Sequence, residues 1–183
     1  MPKKLKGKEW YTLVAPKIFN EKVIGETPIG DPKTLIGRKV DVNLINLIDD
    51  LSKYYLKFYF KVIKIDGNKG HTEFVGFECL RDYISRSIRY GIKKIDTIQN
   101  LKTKDGKNIR VKIMTITSKK IKKNVEISLK KFVEDKVKKE IESIDLDKFI
   151  EKVINNTLKN SVLKEGSKIY PIRIFEIRKV EVK

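Results

Sequence analysis

From Tyr54 to Ile65 the chain alternates with a period of two, and no other feature constrains its fold as strongly. Leu56, Phe58, Phe60 and Val62 fall on one side, and Tyr55, Lys57, Tyr59 and Lys61 on the other. Successive side chains of a strand point to opposite faces, so the pattern predicts a half-buried strand with an aromatic and basic outer surface. Asp66-Gly67-Asn68-Lys69-Gly70 then supplies a turn, and His71 to Leu80 returns as a second strand. Another hairpin is predicted about Asp105-Gly106. Residues 95–103 precede it, and after it Ile109, Val111, Ile113 and Thr115 alternate with Arg110, Lys112 and Met114. Shorter strands are predicted over residues 10–14, 23–27 and 38–44, punctuated by Ala15-Pro16 and by Pro28, Gly30 and Pro32.

Helical spacing takes over elsewhere. Leu80, Ile84, Ile88 and Ile92 predict a short helix from Asp82 to Gly91. Val125, Leu129, Phe132, Val133, Val137 and Ile141 make the stripe of a longer one. Leu146, Phe149, Ile150, Val153, Ile154 and Leu158 make the stripe of a third, with Gly166 as its stop. Ile169 to Val182 reads as a last strand, offering Ile172, Ile174, Ile177, Val180 and Val182 for burial. The expected fold is α+β: a mostly antiparallel β-sheet or barrel with one short helix inserted, two longer helices packed beside it, and the C-terminal strand returning to the sheet. Residues 1–9 read as a mobile basic arm and 10–183 as a single domain, with a helical section over about 124–165.

Charge narrows the function. Lys and Arg number 42 and Asp and Glu 24, so the formal net charge is 42 − 24 = +18 over 183 residues. A compact body with that excess repels itself unless a polyanion supplies counter-charge. Compositional drift toward Lys in a soluble protein should raise Glu in parallel, and it has not. Cys79 is the only cysteine and His71 the only histidine, which excludes an internal disulfide and a Cys/His zinc site. The first residues lack the apolar stretch of a signal peptide, and no run suits a transmembrane helix. A cytoplasmic protein without metal or other cofactor is expected.

Pairing locates the binding face. On the 124–143 helix, Glu126, Glu134 and Asp135 each precede a Lys by four residues, which predicts a largely neutralised surface. On the 82–91 helix, Arg86, Arg89 and Lys93 follow at i, i+3 and i+7 with no acid between Asp82 and Asp96, and Tyr83 and Tyr90 stand nearby. Forked guanidinium donors and stacking tyrosines suit an RNA backbone. Lys119, Lys120, Lys122 and Lys123 form the densest patch, between a strand and a helix. Lys3, Lys4, Lys6 and Lys8 of the arm, the pairs Arg38-Lys39 and Arg178-Lys179, and Arg81 complete the candidate RNA-binding set.

Catalytic readings fail. Gly67-Asn68-Lys69-Gly70 has the form of an RNA-clamping GXXG loop, yet strands rather than helices flank it, so it reads as a hairpin turn. Cys79 lies in an apolar strand and reads as a buried structural thiol, and His71 as a strand-edge residue without a partner. Asp49-Asp50 lacks further ligands, and Trp10, Tyr55 and Tyr59 are divided between stacking on bases and packing in the core. No convergent acid, base and nucleophile can be assembled, so an enzyme is not expected.

Several stretches, taken in order, resemble the small-subunit ribosomal protein three-A family of archaea and eukaryotes. They are Trp10-Tyr11, Ala15-Pro16 and Phe19 with Ile24-Gly25, then Gly37-Arg38 leading to Val42-Asn43-Leu44, then Gly76-Phe77-Glu78 through Arg81-Asp82. Lys102-Thr103-Lys104-Asp105-Gly106 follows, and Ile169-Tyr170-Pro171 with Arg178-Lys179-Val180 closes the set. The end at Lys183 is similar to the archaeal form. The resemblance implies a non-catalytic protein of the small-subunit platform, near the messenger exit and the 3′ end of the small-subunit RNA. It implies contacts with that ribosomal RNA and with neighbouring ribosomal proteins, but no membrane and no small-molecule substrate. From the residues alone, a free RNA-binding factor or RNA chaperone stays open, as does an anionic-membrane or protein-binding module.

Overall fold

The computed structural model describes residues 7–183. It is α+β, with eight strands and five helices among the described residues. The strands are β1 (Glu9–Val14), β2 (Val23–Ile29), β3 (Lys39–Asn43), β4 (Leu56–Asp66), β5 (Lys69–Cys79), β6 (Lys94–Lys102), β7 (Asn108–Thr117) and β8 (Ile172–Val182). The helices are α1 (Ile45–Ile48), α2 (Arg81–Ser87), α3 (Lys123–Glu142), α4 (Leu146–Ile154) and α5 (Thr157–Gly166). The chain divides into two compact units, one up to Phe77 and one from Glu78 onward, and the division falls inside β5 rather than in a linker.

In the N-terminal unit the strands follow the order β2-β1-β5-β4-β3. β1 pairs with β2, and β3 with β4, in antiparallel register, whereas β1 runs parallel to β5 over Thr12–Val14. The alternation of β4 holds: Leu56, Phe58, Phe60 and Val62 are buried. Phe58 is the hub of an aromatic core, its ring 5.3 Å from Phe77, 5.6 Å from Phe74 and 5.7 Å from Phe19. Such pairs add about 0.5–1.5 kcal/mol each beyond their burial. The ladder is not closed, but Arg38 Nη1, just before β3, donates to Thr27 Oγ1 of β2 at 3.0 Å, which links the two edge strands. Gly70 follows the turn because a side chain there would collide with the core: a Cβ would lie 2.9 Å from Leu13 Cδ2 and 3.4 Å from Leu35 Cδ2.

Two sequence expectations change here. Tyr55 is buried rather than displayed beside Lys57 and Tyr59, because β4 begins at Leu56 and Tyr55 precedes the alternating register. A turn of helix, α1, follows β3 where no helix was expected, since four residues are too few to show a periodicity.

In the C-terminal unit β7 pairs antiparallel with both β6 and β8, so the last strand does return to a sheet after the helices. Ile95, Thr97, Ile109, Val111, Ile113, Phe175, Ile177 and Val180 are buried on these strands. Leu129, Val133, Val137 and Ile141 are the buried positions of α3, which packs on β6 and α5. The third predicted helix is two. Asn156 adopts the left-handed conformation (φ 57°), which Asn tolerates better than most residues, and α4 stops before it while α5 starts after it. Gly166 ends α5 through close packing rather than through a positive φ: a Cβ there would sit 2.6 Å from Ile172 Cδ1 and 3.3 Å from Phe132 Cε1.

Glu176 of β8 is buried, with 6% exposure, and its carboxyl group is partnered. Its Oε1 accepts from Lys159 Nζ of α5 and, at 2.9 Å, from the Tyr83 hydroxyl of α2. One carboxylate thereby holds a strand and two helices. Cys79 is buried as expected, its Sγ 3.3 Å from the carbonyl of Ile177; burial and then the Glu176 charge push the thiol far above its ordinary range. At the β6–β7 hairpin, Gly106 (φ 82°) makes the turn, and the Asp105 carboxylate accepts from the Leu146 N–H at 3.2 and 3.3 Å. That bond caps α4, whose own N-cap residue Asp145 makes no side-chain cap. Partial burial pulls the Asp105 pKa up, but hydrogen bonds from Thr103 and Leu146 outweigh it and hold the group below its usual value.

Replacing Lys159 with Met should destabilise the protein by about 3 kcal/mol, because it leaves a buried carboxylate short of its counter-charge. Changing Lys159 and Glu176 together to apolar residues should restore most of that loss, as read from denaturant midpoints. Asp105→Ala should cost about 1 kcal/mol at neutral pH, because it removes the acceptor that caps α4. Since the folded pKa is depressed, this contribution is present above the ordinary carboxyl value of 3.8 and is lost as pH falls through the folded one. Mutant and parent melting curves should therefore converge in acid.

Candidate nucleic-acid interface

The helix expected to carry Arg86, Arg89 and Lys93 on one face is shorter than its periodicity predicts. α2 ends at Ser87, and Ile88 is extended (φ −93°, ψ 127°) and 44% exposed. Two causes are visible. Ser87 Oγ turns back to the Tyr83 carbonyl at 2.8 Å, an interaction that bends helices. Beyond it Lys93 is committed to β7: its N–H donates to Thr117 Oγ1 at 3.2 Å and its carbonyl accepts from the Thr117 N–H at 3.0 Å. Continuing the helix would break that ladder. Only Arg86 of the three is helical, Arg89 lies in the following loop, and Lys93 pairs with Glu126 at 3.6 Å. Lys93 has no acid among its immediate sequence neighbours; the acid that pairs with it comes from α3.

The same clamp brings two separate basic segments together. Thr117 Oγ1 donates to the Lys119 carbonyl at 2.7 Å, so the end of β7 holds both the 88–93 loop and the start of the 118–122 connector. The Tyr170 hydroxyl donates to the Lys120 carbonyl at 2.8 Å, and the Ser118 N–H to the Pro171 carbonyl at 3.0 Å. Lys120 Nζ then lies 5.9 Å from the centroid of the Tyr90 ring. Arg86, Arg89, Tyr90, Lys93, Lys119, Lys120, Lys122 and Lys123 are all exposed. These segments carry seven cations, and Glu126 of α3 is engaged by Lys93. Lys122 and Lys123 also open the 20-residue α3, whose N-cap makes no side-chain bond. Cations at the positive end of a helix dipole are unfavourable, and an anion placed there relieves both. Tyr170 escaped notice as a positioning residue; its only signal was its place in the Ile169-Tyr170-Pro171 stretch.

The remaining candidates are dispersed. Lys3, Lys4 and Lys6 lie outside the described residues, and Lys8 is exposed just before β1. Lys39 is exposed and stands opposite Lys61 across the β3–β4 ladder, while the neighbouring Arg38 is spent on Thr27. Arg81 is exposed at the start of α2. Arg178 and Lys179 are half-buried and paired. Arg178 Nη1 lies 3.9 Å from Asp96, and Lys179 Nζ 2.9 Å from Glu181 and 3.5 Å from Glu78. The hydrogen bond between Lys179 and Glu181 raises the lysine's pKa and lowers the carboxylate's. The α3 surface is neutralised as expected, though by other pairs. Lys130 meets Glu134 and Lys138 meets Glu142, while Lys136 reaches Glu165 and Glu140 meets Lys152, each at 2.7 Å.

The other chemistry-bearing residues are engaged locally. Asp49 pairs with Lys22 at 2.6 Å, and Asp50 accepts from the Ser52 N–H at 2.9 Å, so the two carboxylates serve different partners. His71 Nε2 lies 3.4 Å from Asp66. Among the described residues no group of three or more His, Cys, Asp or Glu is placed to hold a metal, and no helix is long and apolar enough to cross a membrane.

Comparison with known proteins gives a consistent result over nearly the whole chain. A protein from Methanopyrus kandleri named small ribosomal subunit protein eS1 is 34% identical over 98% of this chain and 87% of its own length. The protein of the same name from Sulfurisphaera tokodaii is 35% identical over 98% of this chain and 93% of its own. The one from Saccharolobus islandicus is 35% identical over 98% and 86%. The profile of the Ribosomal S3Ae family matches residues 2–183. The chain belongs to the Ribosomal S3Ae family, in its archaeal form.

Proposed function

We propose that this protein binds small-subunit ribosomal RNA through the basic corner formed by the 88–93 loop, the 118–122 connector and the start of α3. Membership in the family gives it a structural, non-catalytic role in the small ribosomal subunit. The finer reading is a place on the platform near the messenger exit, against that RNA and neighbouring ribosomal proteins. One observation carries the RNA-binding reading: exposed cations from two segments distant in the chain are tied together at the end of β7, where Glu126 is already paired with Lys93. Counterion release from RNA would supply the affinity, and the ion pairing along the rest of α3 and on β8 favours the corner over those surfaces. Arg38, Lys39, Arg81, Lys8 and the basic arm are secondary contacts in this reading.

The test is co-sedimentation with small subunits through a high-salt wash, alongside RNA binding by the purified chain. Affinity for RNA should fall by about 10³–10⁵ between 50 and 200 mM salt if roughly 6–10 phosphates are engaged. Changing Lys119, Lys120, Lys122 and Lys123 to Gln should shallow that salt slope by about one unit per lost phosphate contact and impair incorporation, with no change in melting temperature. A salt-insensitive complex, or normal incorporation of the variant, would remove the corner from the interface. Loss of the parent protein in the wash would favour a free RNA-binding factor.

A further inference from the structure

We infer that Tyr90 is a stacking platform for an unpaired RNA base, so that the RNA recognised at this corner is a single strand, loop or bulge. The inference rests on the RNA-binding reading above and adds the kind of RNA.

Tyr90 is 100% exposed, whereas the next most exposed large hydrophobic residue, Leu51, is at 78%. Isolated exposed apolar residues are common on monomers and mean little alone. Tyr90 differs in its setting. Gly91, in the left-handed conformation (φ 82°), follows it directly, and three residues on Lys93 is clamped to Thr117 on both sides of its peptide backbone. The ring is therefore presented on a short, anchored loop, so that little conformational entropy is lost when something packs against it. Ile88, two residues earlier and 44% exposed, extends the apolar surface. Lys120 stands over the ring, Arg89 precedes Tyr90 directly in the chain, and Arg86 and Lys119 are exposed on the segments that the Thr117 clamp joins.

An exposed π-face with a lysine beside it complements a nucleotide, which is itself a flat base joined to an anion. Lys120 Nζ already lies over the ring at 5.9 Å, a cation–π contact on a solvent-exposed site. A base taking its place on the ring would release Lys120 to the adjacent phosphate, so stacking and charge pairing would form together. A paired base cannot do this, because its faces are covered by its neighbours in the helix, and side chains do not enter the deep groove of A-form RNA. An acidic protein segment would use the cations and leave the ring idle.

Fluorescence anisotropy with the full-length chain decides the matter, using a short single-stranded RNA and a blunt RNA duplex of equal length at low salt. Tyr90→Ala should weaken single-strand binding by about 5- to 150-fold, the range for loss of one stacked base, and leave duplex binding unchanged. Tyr90→Phe should retain single-strand affinity, since the ring rather than the hydroxyl does the stacking. Because the side chain is fully exposed, neither change should alter the melting temperature. If Tyr90→Ala binds both RNAs like the parent while Lys119→Gln/Lys120→Gln weakens both, the stacking role is wrong and the charge reading survives. Equal loss on strand and duplex would also overturn it. If the parent binds neither RNA, or polyglutamate competes as well as RNA does, the RNA-binding reading fails and takes this one with it.

Discussion

A buried carboxylate organises the C-terminal unit. Glu176 lies in β8 opposite Met114 of β7, almost wholly buried, and Lys159 and Tyr83 converge on it from α5 and α2. A buried charge is costly unless opposite charge and hydrogen bonds surround it, so only an arrangement that brings both helices to this strand is tolerated. Apolar packing of α3, α4 and α5 is non-directional and accepts small shifts; a hydrogen-bonded buried carboxylate does not. α2 is consequently held at a defined place, and the loop that follows it can deliver Arg89, Tyr90 and Lys93 to the end of β7. The Thr117 side chain then joins that loop to the Lys-rich connector.

The molecule handles its +18 charge in two ways. On α3 and β8 the cations are interleaved with acids at 2.7–4.0 Å, and such pairs are individually worth little at a surface. Their effect is to keep the local field small. At the corner the opposite holds: cations accumulate at a helix N-terminus where the backbone dipole already disfavours them. That uneven distribution, more than the total, sets the corner apart from the helical face and is the basis of the proposed RNA contact.

Much of the architecture could be read from residue patterns, and each success has a local cause. The β4 alternation, the turn at Gly67-Asn68 and the hairpin at Asp105-Gly106 depend on side-chain direction and glycine stereochemistry, which neighbours in the chain specify. The failures share another cause. α2 has a four-residue apolar period that continues to Ile92, yet the ladder between Lys93 and Thr117 outweighs it. Asp105 looks like a turn residue and is one, but its carboxylate also caps a helix that begins 41 residues later. Lys93 lacks an acid nearby in sequence and finds Glu126 in space.

The amino-acid order by itself determined the class of fold, most strand positions and the excess of positive charge. These follow from periodicity, turn chemistry and composition, which act over a few residues or over the whole chain at once. Tertiary structure alone decided which cations are neutralised, where α2 stops, and that Tyr90 stands uncovered beside Lys120. Those outcomes depend on energies between residues tens of positions apart, where one backbone ladder or one buried carboxylate outweighs the preference of a short segment.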